Sequence, residues 1–168
     1  MGNQNSGFTL IELLIVIALL GILAVAGTPS LQFLIATYRL KTATSDLHTM
    51  LVLARSEAVK RNSSVTITPV SASDWSQGWT LQSGSAVIAR QDAYQNLNFS
   101  TYNAAYGSKT VSDVTYAGTG RESSVDGVAF VLTTPALSTL PARCVILDPS
   151  GRPAVRVDKN NDPSDGCN

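Results

Sequence analysis

Hydrophobic and polar positions divide the chain into three stretches of different period. Residues 13–27 form a run of 15 without a polar side chain, preceded by Phe8-Thr9-Leu10-Ile11-Glu12. The 19 residues 8–26 would give about 28 Å of helix, close to the hydrocarbon thickness of a bilayer. Beyond Pro29 the apolar positions Leu40, Ala43, Leu47, Met50, Leu51, Ala54 and Ala58 recur at steps of three and four, with Thr42, Asp46, Thr49, Ser56 and Lys60 opposite. That spacing makes one apolar stripe on a helix. The pattern predicts a single helix from Phe8 to about Arg61, roughly 80 Å long, bent where Pro29 removes a backbone donor. A bare coiled coil is the alternative, but the stripe has no sustained charged flanks.

After Asn62 the residues become β-branched and are punctuated by Gly, Ser, Asn and Asp, which predicts several short strands. The candidates are 65–69, 79–82, 86–90, 111–116, 128–133, 144–147 and 154–158. Asp148-Pro149-Ser150-Gly151 separates the last two, and its residues suit a type I turn, so a hairpin is expected there. The fold class is α+β, a long N-terminal helix packed on an antiparallel sheet.

Composition narrows the function. A chain of 168 residues allows one globular domain. With 12 Lys+Arg against 12 Asp+Glu, no global basic field recruits nucleic acid or anionic lipid, so such binding must come from a local patch. Cys144 and Cys167 lack a nearby third or fourth soft ligand, which argues against a zinc site. The single histidine, His48, lies beside Thr49 on the polar side of the helix and reads as a surface residue, so no nucleophile–base–acid set assembles. Gly118-Thr119-Gly120 is a turn signal rather than a phosphate cradle. No catalytic residue, metal or cofactor is expected, and the chain reads as a structural protein rather than an enzyme.

The apolar N-terminus has three readings. A secretory signal cut after Ala26 would use Ala24-Val25-Ala26, but residues 1–7 hold no Lys or Arg and the helical pattern continues past the cut. A plain membrane anchor must accommodate Glu12, at roughly 2.5 to 3.5 kcal/mol for a central acidic residue and less near the interface. Cleavage between Gly7 and Phe8 would supply a cation, because the new amine on Phe8 stands one helical turn before Glu12 or within reach of a neighbouring chain's Glu12.

Gly7-Phe8-Thr9-Leu10-Ile11-Glu12-Leu13 resembles the type III signal of type IV prepilins and type II secretion pseudopilins. The resemblance implies a prepilin peptidase that cuts after Gly7 and methylates Phe8, a Glu12 that guides insertion into a growing filament, and a helix-kinking proline at Pro29. It implies a leader over 1–7, a transmembrane and filament-core helix over 8–30, an amphipathic second half over 31–62 and a periplasmic β-rich domain over 63–168. In an oxidising periplasm Cys144 and Cys167 would pair, closing a loop worth about 3 kcal/mol in the chain-entropy model, as major pilins tie down a C-terminal loop. Residues 53–59 (Leu-Ala-Arg-Ser-Glu-Ala-Val), 74–79 (Asp-Trp-Ser-Gln-Gly-Trp) and Gly151-Arg152-Pro153 are similar to the GspH/FimT group of minor pilins and pseudopilins. Trp75 and Trp79 are expected in core or hairpin packing, and Arg55 and Glu57 on a solvated helix face.

This resemblance implies a minor pilin inserted in the bacterial inner membrane, initiating pilus assembly beside other minor and major pilins. A pseudopilin of type II secretion is the alternative. Some members of the group receive DNA through a Gly-Arg-x-Arg segment, whose counterpart here is Gly151-Arg152-Pro153-Ala154-Val155-Arg156. Arg152 and Arg156 would share a strand face about 13 Å apart, with Lys159 as a third candidate DNA contact.

Overall fold

The computed structural model describes residues 8–103, 110–123, 127–159 and 167, and leaves the side chains of 25–29 and 103 outside that description. The expected leader, with Gly7, falls outside the described residues, and of Pro29, where a bend is expected, only the backbone is described, within the helix.

Helix α1 (Leu10–Arg61) is the long helix that the spacing predicts. Its first turn closes reciprocally: the Thr9 backbone N donates to the Glu12 carboxylate at 2.9 Å, and the Glu12 backbone N donates to Thr9 Oγ1 at 3.3 Å. This Thr-x-x-Glu box satisfies donors that a helix N-terminus leaves orphaned. At the other end Asn62 is left-handed, with φ 48. Asn62 N donates to the Val59 carbonyl and Ser63 N to the Ala58 carbonyl, each at 3.2 Å, which is the Schellman arrangement.

Contacts divide the chain into two units, Met1–Ile35 and Ala36–Asn168. In the first, the described side chains of 8–24 are all exposed, large apolar ones included. Among the described residues no helix is long and apolar enough to cross a membrane. The span expected over 8–30 extends past the described side chains, which stop at Ala24.

In the second unit every stripe position named above is buried, from Leu40 to Ala58. The stripe joins one core cluster with residues of all the inner strands, including Ile67, Leu81, Val114, Phe130 and Val145. The strands form two antiparallel sheets rather than one. β1 (Val65–Ser71), β2 (Asp74–Ser83), β3 (Ala86–Gln91) and β5 (Val114–Tyr116) pair in the order β3-β2-β1-β5, and β4 (Asn98–Asn103), β6 (Val128–Thr133), β7 (Arg143–Leu147) and β8 (Pro153–Val157) in the order β4-β6-β7-β8.

Four of the differences from the pattern have a local reason. β2 begins at Asp74, because its register with β1 slips between the pairs Pro69↔Trp79 and Ser71↔Asp74, and the ladder absorbs the extra residues as an irregularity. Gly78, with φ 84, sits where a Cβ would strike the Gln91 carbonyl. β4 has only Phe99 and Tyr102 as apolar positions, out of period two, and its six-residue register with β6 makes it a strand. Val111 precedes β5 and holds Trp75, whose Nε1 donates to the Val111 carbonyl at 2.9 Å. Asp158 leaves β8, is buried, and donates its backbone N to the Ala142 carbonyl at 2.9 Å. Trp75 and Trp79 are both fully buried, Trp75 edge-on to Phe130 with ring centroids 4.8 Å apart.

Candidate functional site

Four features bear on function, and the first is the helix start. Phe8 is 87% exposed, immediately before the capping box. The Glu12 carboxylate, expected to meet the Phe8 amine, is bonded through Oε2 to both the backbone N and the hydroxyl of Thr9. The role of Thr9 is missing from the sequence reading, although Thr-x-x-Glu before an apolar run is a readable capping signal.

The second feature is the disulfide Cys144–Cys167, whose Cα atoms lie 6.1 Å apart. Cys144 follows Arg143 at the start of β7 and pairs in register with Val131 of β6. Alternation along β7 puts Val145 and Leu147 in the helix-facing core and Cys144 on the opposite face. There Val131, Ala142, Cys144 and Cys167 make a second small buried cluster.

The third feature is the hairpin of β7 and β8. Gly151 N donates to the Asp148 carbonyl at 2.8 Å and Gly151 has φ 80, so a type I turn is followed by a left-handed residue, a common hairpin connection. Asp148 Oδ1 accepts from the Ser150 hydroxyl and, at 3.1 Å, from Arg152 N. The Ser150 hydroxyl, and after it the Arg152 N–H, hold the Asp148 carboxyl below the usual range. Arg152 Nε donates to Ser150 Oγ at 3.2 Å and lies 3.7 Å from Asp148 Oδ2, while the side chain stays 73% exposed. Arg152 precedes β8 rather than lying in it. Register pairs Arg156 with Cys144 and Val155 with Val145. Arg156 therefore shares the disulfide face with Ala154, and Val155 and Val157 take the other. Arg156 is exposed, and so is Lys159 beyond the strand end.

The fourth feature joins segments far apart in sequence. A Cβ on Gly151 would strike the Gly120 carbonyl and approach Arg121 Cα at 3.3 Å and Tyr116 Cε1 at 3.1 Å. Gly120, with φ 77, packs in turn on Val59 Cγ2 and Arg55 Nε, and Gly118 packs on the Asn62 backbone at the helix end. Arg55 is half-buried here rather than on a solvated face. Glu57 accepts from Arg61 Nε at 2.6 Å and Lys60 Nζ at 3.4 Å, with its side chain only 13% exposed. The Arg61 hydrogen bond is the main reason that its carboxyl is lowered. Tyr116 is fully buried at this junction, and its hydroxyl has no hydrogen-bond partner among the described residues. Burial pushes its pKa up, Arg55 opposes, and Glu122 and Asp148 add to the rise. The sequence held the motifs but not their meeting point.

Among the described residues no group of three or more His, Cys, Asp or Glu is placed to hold a metal ion. His48 is half-buried on α1.

Comparison with known proteins gives a consistent result. A family model described as type II transport protein GspH matches residues 43–151, and one described as the prokaryotic N-terminal methylation motif matches residues 2–28. No curated protein matches the chain. The type IV minor pilin FimU of Pseudomonas aeruginosa strain PAO1 is similar in structure: one crystal form gives a TM-score of 0.59 at 19% identity, covering 76% of this chain and 91% of that one. A second crystal form gives a TM-score of 0.57 at 20% identity, covering 74% and 94%. The minor pseudopilin EpsH from the type 2 secretion system of Vibrio cholerae gives 0.50 at 8% identity, covering 71% and 95%. At these identities the likeness is one of fold.

Proposed function

This chain belongs to the GspH family of minor pilins and pseudopilins, and from that membership we propose that it is a minor pilin of a type IV pilus that helps to initiate assembly. The observation that carries the reading is the exposed apolar start of α1 with one carboxylate, Glu12, inside the stretch matched by the methylation motif. Exposed side chains such as Leu10, Ile11, Leu13 and Ile17 need lipid or other helices around them. In the proposed sequence of events the helix over 8–30 stores the subunit in the inner membrane with residues 63–168 in the periplasm. Prepilin peptidase cuts between Gly7 and Phe8 and methylates Phe8. The freed amine then competes with Thr9 for Glu12, within one chain or between neighbours, and packing against other minor and major pilins replaces lipid. No step in this reading needs catalysis by the chain.

The test is the intact mass of protein extracted from the membrane, together with recovery in sheared filaments. The expected product lacks Met1 to Gly7 and carries one added methyl group, and Glu12→Gln is processed normally but is depleted from filaments. A mass corresponding to a cut after Ala26 would overturn the reading.

Two further readings have their own support. The description of the matched family as a type II transport protein favours a GspH-type pseudopilin. Rescue of protein secretion rather than of piliation, in cells lacking the gene, would establish that role instead. Exposure of Arg152, Arg156 and Lys159 favours DNA contact in natural transformation.

A further inference from the structure

Two Gly-Arg pairs, Gly120-Arg121 and Gly151-Arg152, are packed together by the fold. Both glycines are left-handed, at φ 77 and φ 80. Neither position has room for a side chain: a Cβ on Gly151 would strike the Gly120 carbonyl, and one on Gly120 would meet Val59 Cγ2 at 2.9 Å. The same packing sets the spacing of the arginines that follow. Arg121 Cα lies 3.3 Å from the position of a Gly151 Cβ, so adding one Cα–Cβ bond and one Cα–Cα step puts the Arg121 and Arg152 Cα atoms at most about 9 Å apart. Both side chains are exposed. The bonds that Arg152 makes within its turn run through Nε and use neither terminal nitrogen of the guanidinium.

The pair formed by Arg152 and Arg156 is looser. Four steps of extended chain separate them by about 13 Å, and register commits Arg156 to the face that carries the disulfide. Asp148, bonded to both Ser150 and Arg152, braces the turn that presents Arg152.

We propose that Arg121 and Arg152, held side by side by the packed glycines, form a two-arginine fork for the phosphate backbone of DNA, with Arg121 rather than Arg156 as the second contact. This rests on the DNA reading given above. Guanidinium groups take phosphate oxygens through paired N–H donors, and two arginine side chains that start from Cα atoms within about 9 Å of each other can converge on one phosphate or on two successive ones of a strand. Nothing in the fork reads bases, so it recognises the backbone without sequence preference.

The test uses the full chain in neutral detergent with a fluorescently labelled DNA duplex, and follows anisotropy at low and at moderate salt. Arg121→Ala and Arg152→Ala are each expected to weaken binding by about fivefold or more and to flatten the dependence of log K on log salt by roughly 0.9. Arg156→Ala is expected to weaken binding less than either of them. All three side chains are exposed, and near-UV circular dichroism checks that each variant folds. Loss in Arg156→Ala matching that in Arg152→Ala, with Arg121→Ala unaffected, would overturn the fork and leave DNA binding standing. Absence of binding by the unaltered chain at low salt would overturn both.

Discussion

Gly151 leaves neither the backbone conformation nor the space for another residue, with φ 80 and the Gly120 carbonyl standing where a Cβ would be. Gly151→Ala is therefore expected to cost at least about 1 to 3 kcal/mol, the range for a non-glycine residue held left-handed, as a lower urea midpoint. At the same junction the Tyr116 hydroxyl is raised above its ordinary pKa by burial, and the Tyr94 hydroxyl is raised by burial and by its 2.7 Å bond to Asp46. A raised folded pKa means that the folded state keeps a proton which the unfolded chain loses near pH ~10. Both tyrosines thus contribute stability that is present below that pH and falls as pH rises beyond it. Denaturation midpoints measured across this alkaline range should fall, and Tyr116→Phe should flatten the fall. Because the Tyr116 hydroxyl has no partner among the described residues, its removal should cost little at neutral pH.

At the scale of elements, the face that α1 lays on the sheets is lined partly by alanine: Ala43, Ala54 and Ala58 are fully buried. Small side chains let the helix approach the strands closely, and a larger residue there would force off-rotamer packing. Ala54→Leu is expected to destabilise by roughly 1 to 3 kcal/mol, read as a lower midpoint with an unchanged m-value. The 3.6-residue period made this face readable in advance, because it repeats over more than five turns. β4 was not readable, since Asn98-Phe-Ser-Thr-Tyr-Asn103 has no alternation and becomes a strand only by pairing with β6. β6 was readable because its residues Val128 to Leu132 are a continuous apolar run. The extension of β2 back to Asp74 was hidden for another reason: Gly78 looks like a turn residue, whereas in the ladder it lets the strand pass close to Gln91.

For the whole molecule, the disulfide is the one covalent link that returns the C-terminus to the sheet. It closes a loop of 23 residues' separation. Cys167→Ser is expected to lower stability by about 3 kcal/mol in the chain-entropy model, and the same loss should follow reduction of the unaltered chain. The buried cluster of Val131, Ala142 and Cys144 would lose its Cys167 cover, so increased binding of a hydrophobic dye is the second readout. In the proposed function the lone carboxylate of the apolar stretch belongs to this scale too, because there Glu12 acts on neighbouring subunits of an assembly.

Local chemistry by itself determined the long helix, the buried stripe from Leu40 to Ala58, the hairpin turn at Asp148 to Gly151, and the N-terminal methylation motif. Each depends on residues within a turn or two of one another, so periodicity and turn preference are enough to specify it. Tertiary structure alone decided the division into two sheets, the burial of Arg55 against Gly120, and the meeting of Gly120-Arg121 with Gly151-Arg152. Those depend on pairings between segments tens of residues apart, chosen by which faces can be buried together. The same distinction separates Arg156, the neighbour of Arg152 along the chain, from Arg121, which the packed glycines bring near it.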